Sequence, residues 1–132
     1  MTAAAPAPKT PLQAAQRMAA SAMRDGFEFQ ALHEFTDKAG QPLHWRIRLK
    51  HPGSGDKWIR PMQRFGDGFK PGEPKYPDGK PLYRLHELAA RPGDLVIITE
   101  GEYKADKLAA LGLLVTTSGA CWRRYKAASI RR

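Results

Sequence analysis

Three carboxylates stand close together where an apolar run gives way to a helical pattern. The run is Leu95-Val96-Ile97-Ile98-Thr99, the carboxylates are Glu100, Glu102 and Asp106, and the helical spacing is Ala105, Leu108, Ala109, Leu111. After Gly112 a second short apolar run follows, Leu113-Leu114-Val115. Strand, acidic turn, helix and strand form a βαβ pattern with Glu100 at the carboxyl end of its first strand, the end where open α/β sheets place ligands. Oxygen ligands of this kind suit Mg²⁺, which shares its coordination with substrate phosphates, and Glu100 could equally serve as a general acid or base in phosphoryl transfer. Glu102 and Asp106, one helical turn apart, either enlarge a negative pocket or favour the helix N-terminus through its dipole.

A second set of residues could hold a polyanion. The chain has 132 residues, with 22 Lys and Arg against 13 Asp and Glu, a formal charge of +9. Such a balance favours nucleic acid as partner. The excess is uneven: residues 71–106 hold five basic and seven acidic side chains, whereas residues 107–132 hold six basic and no acidic ones. Arg46, Arg48 and Lys50 alternate along one stretch, and Lys57, Trp58 and Arg60 follow nearby. Cationic and aromatic groups together can take a single strand by phosphate contact and base stacking, although the same pattern also describes a solvated sheet face with its tryptophans in the core. Arg123, Arg124 and Lys126, beside Trp122 and Tyr125, make a similar cluster, read either as a binding segment or as an accident of the tail.

These groups need a scaffold. Residues 1–9, rich in Ala and Pro, read as a disordered leader. Thr10 and Pro11 suit the N-cap and first position of a helix, whose apolar stripe is Leu12, Ala15, Met18, Ala19, Ala22 and Met23 and which closes at Asp25-Gly26. From Phe27 the apolar period becomes two. Phe27–Phe35, Leu43–Lys50 and Lys57–Met62 read as three strands of an antiparallel meander within residues 10–64. Residues 65–81, dense in Gly and Pro, read as a loop, a short helix is expected from Pro81 to Ala90, and the βαβ pattern occupies residues 82–119 with a basic tail at 120–132. The fold class expected is therefore α+β: a leading helix, an antiparallel β-meander, then an incomplete βαβ unit. His33, His44, His51, His86 and the lone Cys121 have no metal-ligand spacing, and His44 and His51 are expected at the surface, with phosphate contact as the alternative. The longest apolar runs are about five residues against the roughly 20 a spanning helix needs. No secretory signal opens the chain, so a cytoplasmic protein without membrane contact is expected.

Four ordered segments carry a resemblance. Pro81-Leu82-Tyr83-Arg84-Leu85-His86-Glu87-Leu88, Val96-Ile97-Ile98-Thr99-Glu100-Gly101-Glu102, Ala105-Asp106-Lys107-Leu108-Ala109-Ala110-Leu111-Gly112 and Thr116-Thr117-Ser118 resemble the Toprim region of phage- and plasmid-type DNA primases and primase–helicases. Upstream, the strand ending at Thr36-Asp37 and the segment Lys57-Trp58-Ile59-Arg60 are similar to the β-rich part preceding Toprim in those proteins. The resemblance covers roughly residues 27 to 119. It implies that Glu100 corresponds to the glutamate of the first acidic motif, catalytic in Mg²⁺-dependent nucleotidyl transfer, with Gly101 its turn glycine and Asp106 an acidic position of the primase branch. It also implies DNA replication of a phage, plasmid or other mobile element, single-stranded DNA or RNA as partner, and a replication protein such as a helicase as a further one. Tyr103 departs from the lysine usual at its position, and Lys104 from the aspartate of many Toprim proteins. The family's second acidic motif, Asp-x-Asp, is missing, for no Asp or Glu follows Asp106. The expectation is a truncated form, inactive as a primase in isolation, or alternatively a non-catalytic DNA/RNA- or protein-binding accessory or interference protein reusing the scaffold.

Overall fold

The computed structural model describes residues 10–118. The fold is α+β. Its elements in order are α1 (Pro11–Met18), α2 (Ala20–Arg24), β1 (Glu28–Thr36), β2 (Pro42–Lys50), β3 (Lys57–Phe65), β4 (Gly68–Pro71), α3 (Leu85–Ala90), β5 (Ile97–Ile98), α4 (Glu102–Ala109) and β6 (Val115–Thr116). Strands β1 to β4 form an antiparallel sheet in sequence order, and β5 pairs in parallel with β6. Among the described residues two compact units result: one joins residues 10–32 with Trp45–Glu73, the other joins His33–His44 with residues 74–118. The units interleave along the chain, whereas the sequence suggested consecutive segments. The leader at residues 1–9 and the tail at 120–132, with Cys121, Arg123, Arg124 and Lys126, lie outside the described residues.

In the first unit a capping box starts α1. Gln13 N donates to Thr10 Oγ1 at 3.1 Å and Thr10 N donates to Gln13 Oε1 at 3.3 Å, so two otherwise orphaned amides are satisfied reciprocally. Pro11 then occupies a position where its missing N–H costs nothing. The single helix expected breaks at Ala19 into α1 and α2, and the stripe is narrower than its spacing suggested: Leu12 and Met23 are exposed. The contact face is alanine. Ala14, Ala15, Ala19 and Ala22 are buried with Trp45, Ile47, Leu49 and Met62 of the sheet. Such small side chains permit a close approach, and the large residues are supplied by the strands. One expected loop also contains structure, because Gly68–Pro71 add β4 to the sheet by pairing with β3.

The second unit is built around Phe35, Tyr83, Ala105 and Val115, flanked by Ile97 and Leu108. Leu114 and Thr116 carbonyls accept from Ile97 N and Thr99 N, both at 2.9 Å, which aligns β5 with β6. On the other side of β6, Tyr83 N donates to Thr117 O at 3.0 Å and Thr116 Oγ1 donates to Tyr83 O at 2.7 Å. The expected helix from Pro81 is therefore shorter, since Tyr83 is tied to β6 within a turn and α3 begins at Leu85. The run from Leu95 to Thr99 is also less buried than its composition suggests. Leu95, which precedes the two-residue strand β5, and Ile98 within it are exposed.

Candidate functional site

The βαβ order expected around Glu100 is present: β5 runs into Glu100-Gly101, α4 follows, and β6 returns parallel to β5. Glu100 itself is 86% exposed, with Lys104 Nζ 3.5 Å from its Oε2 across one helical turn. Gly101 is the N-cap of α4 with extended backbone (φ −151°, ψ 166°), and a Cβ placed there would meet nothing within 4 Å. Neither backbone geometry nor packing requires glycine here, in contrast to the sharp turn the sequence suggested. Glu102 opens α4 and is buried, as a carboxylate in a first turn can be when the helix amides compensate it.

Asp106 has the densest set of partners. Its Oδ2 accepts from His33 Nδ1 at 2.8 Å, and its Oδ1 accepts from the Tyr83 hydroxyl at 2.7 Å and from Arg84 Nη1 at 2.8 Å. Arg84 turns its remaining donors to Glu87 as a fork, Nε to Oε2 at 2.9 Å and Nη2 to Oε1 at 2.8 Å. Burial alone would raise the Asp106 carboxyl, but hydrogen bonds from His33 and Tyr83 and the charges of His33 and Arg84 outweigh it and hold the group below the ordinary aspartate range. The Tyr83 phenol moves the other way. Burial pushes it well above its ordinary value, and its bond to the Asp106 carboxylate adds to the shift. Arg84 is raised, first by its bond to Glu87. It also sits in left-handed conformation (φ 59°, ψ 36°), unusual for a non-glycine residue and sustained by the two carboxylates that grip its guanidinium.

Mg²⁺, the ion the family resemblance implies, does not fit the three carboxylates as they are arranged. Both oxygens of Asp106 already accept from protein donors, and Glu100 points into solvent beside Lys104. Among the described residues no three His, Cys, Asp or Glu converge as a metal site would require.

The candidate nucleic-acid residues divide between two faces of the sheet. Residues directly opposite one another in an antiparallel pair share a face. Trp45 lies opposite Met62, Ile47 opposite Arg60 and Leu49 opposite Trp58, so Trp58 and Arg60 belong to the face that α1 covers. Arg60 lies over the Trp58 ring at 5.0 Å, lining a cleft with Met18, Pro61, Pro71 and Gly72. Arg46, Arg48 and Lys50 point to the other face, where Lys57 stands directly across from Lys50. There Arg48 Nε donates to Gln30 Oε1 at 3.0 Å, and Arg46 Nη2 lies 3.8 Å from Glu73 Oε1.

Comparison of the chain with family models, curated proteins and solved structures finds no match. Function must be argued from the residues themselves.

Sequence reasoning missed two features. His44, expected at the surface, is fully buried, stacked on Phe35 with ring centroids 4.4 Å apart and bonded through Nδ1 to the Tyr76 hydroxyl. His33 falls in the alternating pattern of β1, and nothing in its sequence neighbourhood points to Asp106. The only signal was its place among the inward residues of β1. No helix among the described residues is long and apolar enough to cross a membrane.

Proposed function

We propose that this chain is a primase-related, Toprim-like protein that binds single-stranded nucleic acid in the DNA replication of a phage, plasmid or other mobile element. The observation that carries the nucleic-acid part is the row Arg46, Arg48 and Lys50 on the solvent face of the sheet, extended by Lys57 on the neighbouring strand. Phosphates spaced along a strand are the natural complement of such a row, and Arg adds bidentate recognition of each one. The four ordered segments described above support the primase relationship, and the exposed Glu100 beyond β5 agrees with the position of the first acidic motif.

A non-catalytic accessory role is the second reading, favoured by the engagement of Asp106 with His33, Tyr83 and Arg84. The accessory protein would bind DNA, RNA or a replication protein, and only the first reading allows nucleotidyl transfer. The test is titration of a labelled single-stranded oligonucleotide at several salt concentrations. Affinity is expected to fall linearly on a log–log scale, by about 0.7 in slope for each phosphate neutralised. Undetectable binding, or binding indifferent to salt, overturns the proposal. Template-directed primer synthesis that Glu100→Gln abolishes would decide for the catalytic reading against the accessory one.

A further inference from the structure

His51 closes the hairpin between β2 and β3 with its ring as well as with its backbone. Its N–H donates to Asp56 O and its carbonyl accepts from Gly55 N, both at 2.8 Å. The side chain turns over the loop between them, where Nδ1 accepts from Gly53 N at 3.1 Å and from Ser54 N at 3.2 Å. Two amides can share that lone pair only while Nδ1 is unprotonated, so the proton of the neutral ring belongs to Nε2. Glycines on two sides admit the ring. Cβ atoms built at Gly26 and Gly53 would lie 2.8 Å from Nε2 and 3.2 Å from Cε1. The Phe27 ring meets the imidazole edge to face, with centroids 5.3 Å apart. Gly26 also has φ +99°, a backbone conformation that glycine takes without steric cost.

We infer that His51 is a proton-operated latch on the loop from Pro52 to Asp56: the neutral ring holds the loop closed, and the imidazolium releases it. A second proton on the ring must go to Nδ1, the atom that holds Gly53 and Ser54. Nδ1 then becomes a donor aimed at two donors, and both amides lose their acceptor. The charged side chains of the surrounding elements are Arg24, Asp25 and Glu28 about the turn from α2 into β1, Lys50 and Lys57 at the strand ends, and Asp56 in the loop. They are three of each sign, and among the described residues no carboxylate forms an ion pair with His51 that would hold it charged. The bonds to Nδ1 are therefore what separates the two protonation states. Release loosens the end of the hairpin where Lys50 stands opposite Lys57, and it brings a further positive charge there. The latch belongs to the fold of this hairpin and does not depend on the nucleic-acid reading.

The test is an NMR titration of the whole isotope-labelled chain from about pH 8 to about pH 5, the span in which histidine side chains ordinarily change charge. At the alkaline end the nitrogen shifts are expected to show Nδ1 as a bare acceptor and Nε2 as the N–H. As pH falls, the Gly53 and Ser54 amide resonances should move together with the His51 ring. Backbone order parameters of Gly53, Ser54 and Gly55 should drop from about 0.85 to below about 0.6. His51→Asn sets an amide oxygen, an acceptor that does not titrate, near the place of Nδ1, and its loop should stay ordered throughout. His51→Leu has no acceptor, and its loop should be open at every pH. Loop amides that ignore the titration of the wild-type ring overturn the inference, as does an Nδ1–H tautomer at the alkaline end. An equal pH response in His51→Asn assigns the change to another group and overturns it too. Unshifted resonances in α1 show that a variant keeps its fold, and the wild-type titration decides alone if either variant does not.

Discussion

His33 Nδ1 donates to Asp106 Oδ2 at 2.8 Å across 73 residues of sequence. This single bond joins the end of the first strand to the middle of α4, and it changes what Asp106 can do. A carboxylate that already accepts from an imidazole, a phenol and a guanidinium orders the protein around itself. It has little left to offer a metal ion.

Asp106→Asn tests that role. An amide cannot accept at both of its heteroatoms, so one of the three donors would face an NH₂ group and Arg84 would lose a counter-charge. Unfolding in urea is expected at a lower midpoint with an unchanged m-value, a loss on the order of 1–3 kcal/mol. An unchanged midpoint would show that the cluster contributes nothing to stability.

The same cluster sets a pH window. The Asp106 carboxyl is lowered on folding, so its contribution is complete above the ordinary aspartate value of about 3.9 and is lost as pH falls through the folded value. Tyr83 is raised on folding, so its contribution is present below the ordinary tyrosine value of about 10 and declines as pH rises beyond it. Melting temperatures measured across pH should fall at both ends, and Asp106→Asn should flatten the acid limb. An acid limb of the same steepness in the variant would assign the pH dependence to other carboxylates.

Lys57→Glu separates stability from binding. Replacing the like-charge pair with Lys50 by an opposite-charge one should stabilise the sheet by about 0.2–1 kcal/mol. Oligonucleotide affinity should nonetheless drop, with a shallower salt dependence, as a phosphate contact is removed. A variant both more stable and equally tight in binding would take Lys57 out of the interface.

Glu100→Gln and Gly101→Ala should both leave the fold alone. Glu100 is exposed with one long ion pair to Lys104, and surface pairs of this kind contribute between nothing and about 1 kcal/mol. Gly101 has extended backbone and open space where a Cβ would go. Melting temperatures within about 5 °C of the wild type are expected, so a large functional loss in these variants reports chemistry or ligand approach. A large drop in either would mean that this turn is a structural joint.

Much of the local architecture was legible in the residues. Thr10 and Pro11 specify a helix start by chemistry that acts within one turn, and it forms as their types imply, with Gln13 completing a capping box. The alternation of Leu43, Trp45, Ile47 and Leu49 against Arg46, Arg48 and Lys50 states which face of β2 is buried, because a strand repeats every two residues. The strand–helix–strand order around Glu100 was visible for the same reason. The addition of β4 was not, because Gly68–Pro71 are poor strand formers alone and pair only because β3 offers an edge.

What the sequence determined by itself, then, was periodicity, capping and charge, all of which act between near neighbours. Only the tertiary structure decided which residues meet. Register placed Trp58 and Arg60 on the face opposite the basic row, since one step along a strand moves a side chain to the opposite face. Chain folding over 73 residues gave Asp106 to His33, and with Tyr83 and Arg84 it made a stabilising hub of a residue whose type and spacing also suited a metal. A carboxylate's chemistry depends on the donors around it, and those donors come from elements that are far away in the chain.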